Sequence, residues 1–254
     1  MKRALFCFVS IIAANIVLSI ILSSVISSTN FWVTSACNVG LYLVYLAVYL
    51  VWRKFTGRED FSFRLKARNI PFLLLIAFIC IACFMLVQFA FIDLFANVGP
   101  KGNGNLTING WGQFFMCVFA MCLLPAVIEE LLFRGVVFKS LKVHGQIIAI
   151  VISALLFAVY HLSLSQFIYQ FILGLIFASV YNATGNLFYS MILHFINNFF
   201  VVAYTFITGS DFLTYSWNAY TVITAILLAI LGGIAIITLV KGLSGDDHAK
   251  QKRR

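Results

Sequence analysis

Six side chains in the middle of the chain have the types and spacing for hydrolytic chemistry: Glu129, Glu130, Arg134, His161, His194 and Asn198. All lie within, or at the end of, apolar runs. Ionisable groups are expensive there, and function is their default reading. Adjacent residues on a helix point about 100° apart, so Glu129 and Glu130 cannot do the same job. Glu130 and Arg134 are spaced i,i+4 and share a face, which favours an internal ion pair. That pair neutralises one carboxylate and leaves Glu129 to point elsewhere. A carboxylate buried beside another is suited to act as a general base towards water. Pro125 precedes Glu129 by four residues. It removes a backbone hydrogen bond, which predicts a kink that opens space or a water path beside the carboxylate. Phe157-x-x-x-His161 and His194-x-x-x-Asn198 are also i,i+4 pairs, each on a single helix face, with Asn197 beside Asn198.

The elements that must position these groups follow from composition. Of 254 residues, 63% are hydrophobic and only 10% are charged, and the mean hydropathy is +1.03. A soluble domain is roughly 45–50% apolar and about 25% charged, so a soluble enzyme, a secreted disulfide scaffold and a disordered tail protein are all excluded. A bilayer crossing needs about 20 apolar residues, and the runs predict spans at roughly 4–27, 32–52, 71–95, 112–139, 147–163, 166–182, 187–208 and 217–240. The expected fold class is all-α: a polytopic membrane protein of about eight transmembrane helices. Residues 1–254 read as a single integral membrane domain. The apolar run after Met1-Lys-Arg reads as the first span, since it is longer than the core of a signal peptide. The six Cys residues all lie in apolar runs and read as small hydrophobes; the lone C-x-x-C of Cys80 and Cys83 is weak evidence for a metal.

The net charge of +9 could suggest nucleic acid, but its distribution describes topology. Lys2, Arg3, Arg53, Lys54, Arg58, Arg64, Lys66, Arg68, Lys139, Lys142, Lys241, Lys250, Lys252, Arg253 and Arg254 all fall on one side of the eight-span map. Only Lys101 falls on the other, and Arg134 stays inside a span. The positive-inside rule then puts both termini in the cytoplasm, and no nucleic-acid partner is needed. The loop over 97–111 is rich in Gly and Asn and reads as irregular. The basic and aromatic loop over 52–69 reads equally as an amphipathic segment on anionic lipid or a solvated loop.

Depth tests whether the polar groups belong together. A helix rises about 1.5 Å per residue, which puts Glu129 roughly 15 Å, His161 roughly 20 Å, His194 roughly 10 Å and Asn198 roughly 16 Å from the inner ends of their spans. Taken singly, an intramembrane His is often a packing residue that hydrogen-bonds a neighbouring helix, and a Glu–Arg pair can be helix glue. Four polar groups from three helices at similar depth read instead as one buried site.

In order and spacing, Glu129-Glu130-x-x-x-Arg134, Phe157-x-x-x-His161 and His194-x-x-x-Asn198 resemble the CAAX-processing and bacteriocin-processing (CPBP, or Abi) family of intramembrane proteases. The resemblance covers the fourth to the seventh span, a catalytic core over residues 112–208. It implies an endopeptidase that cleaves membrane-associated peptides or proteins, in bacterial peptide or bacteriocin processing or in self-immunity, within the bacterial cell membrane. By the same resemblance, Glu129 and His161 activate water. His194 and Asn198 stabilise the oxyanion, and Glu130 with Arg134 supports the site. Family members are commonly described as metalloproteases. Glu129, His161 and His194 could form a two-His, one-carboxylate zinc site, while a metal-free Glu/His mechanism uses the same side chains. The H-E-x-x-H signature is absent.

Competing readings are a non-catalytic immunity or signalling protein that binds a bacteriocin or a sensor kinase, and a small transporter with a carboxylate proton relay. The transporter predicts an internal repeat or broken helices in both halves, and the sequence has neither. Gly242-Leu-Ser244-Gly245 matches a rhomboid-type serine motif but falls in a polar tail. Asp93 and Asp211 lie near the outer face rather than facing each other within the bilayer.

Overall fold

The structure, a computed structural model, describes residues 2–25, 30–56, 66, 69–95, 107–164, 166–209, 230 and 232–234. The regular structure among these is helical. Seven helices follow in order: α1 (Lys2–Val25), α2 (Phe31–Thr56), α3 (Ile70–Phe95), α4 (Gly110–Lys142), α5 (Gln146–Tyr160), α6 (Phe167–Thr184) and α7 (Leu187–Thr208). They correspond one for one to the first seven expected spans. The eighth span, apart from helical residues at 230 and 232–234, lies outside the described residues. So do the serine motif of the tail, Asp211 and most of the two loops singled out by composition. Among the described residues, four segments, Phe31–Phe55, Gly110–Lys142, Phe167–Thr184 and Leu187–Thr208, are long and apolar enough to cross a membrane.

The long helix α4 is not uniform. Val118–Leu123 and Leu131–Phe138 are wound as π-helix, on either side of an α-helical Leu124–Glu130. Pro125 gives the first of these a physical cause. It has no N–H for the carbonyl four residues earlier, and its ring crowds that carbonyl. Widening the turn relieves the crowding, and the Leu124 N–H bonds Phe119 O, five residues back. The expected disturbance at Pro125 is therefore present as a change of winding. Such π stretches interrupt α-helices mostly at functional sites.

Helix α5 stops at Tyr160, three residues before the end of the expected span. His161 follows the last turn, and Leu162 adopts a left-handed conformation with φ 48° that breaks the helix. A positive φ is uncommon for a side chain of this bulk. α5 and α6 approach closely where a Cβ built on Gly174 would sit 2.9 Å from Ala154 Cα. Small residues let helix backbones approach in this way within a bilayer. α6 and α7 end on left-handed glycines, Gly185 and Gly209, a common helix terminator. Asn186 starts α7 by accepting a hydrogen bond from Phe188 N at 3.0 Å.

Candidate active site

The two adjacent carboxylates end up in different surroundings. Glu130 and Arg134 are both fully buried, and Arg134 Nη1 donates to Glu130 Oε1 at 2.8 Å. Arg134 Nη2 donates to Gly174 O on α6 at 3.1 Å. The close approach of α5 and α6 therefore also delivers a carbonyl to the guanidinium. Phe157 and Phe177 cover the cation, with ring centroids 4.8 and 5.4 Å from Cζ. Cation–π contacts of this kind are strongest where water is excluded. The i,i+4 pair expected from spacing is thus formed and gripped from three helices.

Glu130 also reaches α7. His194 Nδ1 lies 3.1 Å from the same Oε1. A carboxylate oxygen accepts, so Nδ1 is the donor of this bond. The ring stacks on Phe177 at 5.3 Å. Its Nε2 is 3.9 Å from Glu129 Oε2, which leaves His194 suspended between the two carboxylates.

Glu129 is 3% exposed, and among the described residues no Lys or Arg is ion-paired to it. Tyr42 Oη on α2 donates to Oε1 at 2.8 Å, and Tyr160 Oη donates to the same atom at 3.4 Å. Among the described residues, Oε2 has no hydrogen-bond partner. His161 Nδ1 donates to Phe157 O at 2.8 Å. Because a carbonyl only accepts, the proton of this bond belongs to Nδ1. The Phe157-x-x-x-His161 spacing therefore works through a backbone carbonyl at the end of the helix.

Asn198 explains the disturbed winding further. Its Nδ2 donates to Met121 O at 3.2 Å, the carbonyl that Pro125 cannot serve. Its Oδ1 lies 3.3 Å from Asn197 Nδ2. An amide nitrogen has two protons, so one N–H of Asn198 remains for another acceptor. Asn197 in turn bonds the Tyr169 hydroxyl.

Glu129, His161, His194 and Asn198 line one cavity of about 440 Å³. The four groups matched by depth are thus brought together, and Glu130 and Arg134 stand behind them. Sequence reasoning missed Tyr42, Tyr45 and Tyr160, together with the amides Asn15, Asn38, Gln166 and Gln170 on the same wall. It followed ionisable groups and the two carboxamides beside His194. Polar side chains recurring within apolar runs, such as Asn38, Tyr42 and Tyr45 on one span, were the available signal.

Among the described residues, no group of three His, Cys, Asp or Glu side chains is gathered closely enough to hold a metal ion. Glu129, His161 and His194, the three side chains of the expected zinc site, line the same cavity.

Residues 111–200 match the family model described as Rce1-like, type II CAAX prenyl endopeptidase. This is the family that the motifs resemble, and every motif residue lies within the matched segment. No curated protein matches the chain.

Proposed function

We propose, from that match and from the cavity, that the chain is an intramembrane endopeptidase that hydrolyses peptide bonds of membrane-associated peptides without a metal. The observation that carries the reading is Glu129 Oε2. It is buried, carries no protein hydrogen bond and belongs to a residue on the wall of a cavity shared with two imidazoles and a carboxamide. A buried acceptor left unpaired costs about 1–3 kcal/mol, so such an atom calls for an explanation. A water molecule satisfies it.

In the proposed reaction Glu129 takes a proton from that water, with the His161 Nε2 lone pair as the second acceptor. The hydroxide adds to the scissile carbonyl. The free N–H of Asn198 and protonated His194 donate to the developing oxyanion, a form of electrostatic stabilisation that typically dominates acyl transfer. Glu130 orients His194 through Nδ1 and supports its positive charge. Collapse of the intermediate breaks the C–N bond, and the proton held by Glu129 passes to the leaving amine. A cavity walled by neutral amides suits an extended peptide, and short precursors of secreted peptides are the proposed substrates. The one-sided distribution of Lys and Arg supports cytoplasmic termini.

The test uses the full chain in proteoliposomes with a panel of synthetic amphipathic peptides, products being read by mass spectrometry. Wild-type protein should cut at least one peptide at a defined bond, and Glu129→Ala should abolish that product. Cleavage at the wild-type rate by Glu129→Ala would sink the assignment.

A further inference from the structure

The two donors to Glu129 are both phenols, and they converge on one oxygen from two helices. Tyr42 reaches Oε1 from α2, 87 residues away in sequence. Tyr160 reaches it from the last residue of α5. The Tyr45 ring sits edge-on to both, with centroids 5.7 Å from Tyr42 and 5.6 Å from Tyr160. Tyr160 also packs against Phe133 at 5.5 Å and His161 at 5.1 Å.

This arrangement has a directional consequence. Two donors on Oε1 fix the rotation of the carboxylate about its last bond, which is otherwise broad and two-fold. Oε2 is then the atom left 3.9 Å from His194 Nε2. A Lys or Arg in place of a phenol would hold the same oxygen but add a full positive charge and weaken the carboxylate as a base. A phenol orients it while remaining neutral. From this geometry we infer that Tyr42 and Tyr160 are positioning residues, a two-phenol clamp that aims Glu129 Oε2 at the reacting water. The inference rests on the proteolytic reading for its purpose but not for its geometry. It also gives α2, outside the matched segment of residues 111–200, a part in the site.

The experiment has two arms on the full chain in proteoliposomes, with wild type, Tyr42→Phe, Tyr160→Phe and the double variant. Phenylalanine keeps the rings and removes only the hydroxyls. The first arm measures modification of Glu129 by dicyclohexylcarbodiimide, which enters bilayers and reacts with protonated carboxyls; Glu130, held by Arg134, is the internal standard. Loss of donors to the charged form should speed labelling of Glu129 about threefold or more over Glu130. The second arm follows cleavage of the panel peptide that the wild type cuts fastest. Each single variant should lose about tenfold in kcat with KM within about twofold, since an aiming defect acts on the transition state. Unchanged labelling of Glu129 in both variants overturns the clamp, whatever happens to cleavage. Equal loss through KM alone overturns it as well. If labelling responds but the wild type cuts none of the peptides, the clamp stands and the proteolytic reading falls.

Discussion

Glu129 and Glu130 share a peptide bond and little else. Glu130 is answered by a full positive charge, an imidazole N–H and two aromatic faces around its partner. Glu129 is answered by two neutral hydroxyls on one oxygen and by a cavity on the other. Both are buried, so burial alone does not distinguish structure from chemistry. The distinguishing property is whether the burial is compensated by a charge. A compensated carboxylate acts as a fixed strut between helices. A carboxylate held only by dipoles keeps its capacity to react.

Removing the compensating charge should have the largest effect. Arg134→Ala leaves Glu130 buried without its cation and should destabilise the fold by about 3–5 kcal/mol, read as loss of monodisperse protein or a lowered midpoint in a detergent melt. An unchanged melt would make Glu130 and Glu129 equivalent and break the contrast. Glu129→Gln is the opposite case. It should lower the cleavage rate by about 10²–10³-fold, within the usual worth of a general base, while the melting midpoint stays level or rises. A fall in stability like that of Arg134→Ala would recast Glu129 as a second strut.

Smaller effects sharpen the same contrast. Gly174→Ala places a Cβ 2.9 Å from Ala154 Cα and pushes the carbonyl that Arg134 uses, so overpacking should cost about 1–3 kcal/mol in the melt. Its effect on cleavage should follow the stability loss, since the change falls on the strut side. The smallest effect is expected from a chelator. Excess EDTA should change the rate by less than about twofold, because among the described residues no three His, Cys, Asp or Glu side chains are gathered to hold a metal ion. Complete loss that zinc restores would replace the metal-free mechanism.

The sequence makes the strut more legible than the reactive side. Glu130 and Arg134 are four residues apart on one helix, and local spacing is enough to pair them. The gathering of His161, His194 and Asn198 was also visible, because depth along a helix is simple arithmetic. The link from Glu130 to His194 was not, since 64 residues separate them and only packing sets which nitrogen faces which oxygen. The Tyr42 contact was hidden for the same reason. The π-helical turns have no residue pattern of their own. Pro125 announced a disturbance, but the choice between a kink and a wider turn depended on Asn198 from another helix.

The early end of α5 has a consequence for the lipid. Its 15 residues extend about 22 Å, against a hydrocarbon thickness of about 30 Å. A segment that short obliges the surrounding bilayer to thin or polar groups to snorkel. The turn that follows carries His161 and Gln166, two of the residues on the cavity wall. Hydrophobic mismatch and the candidate site therefore meet at one place. In the proposed reaction, the dimple that a short helix imposes on a membrane brings the water boundary towards the residues that use water.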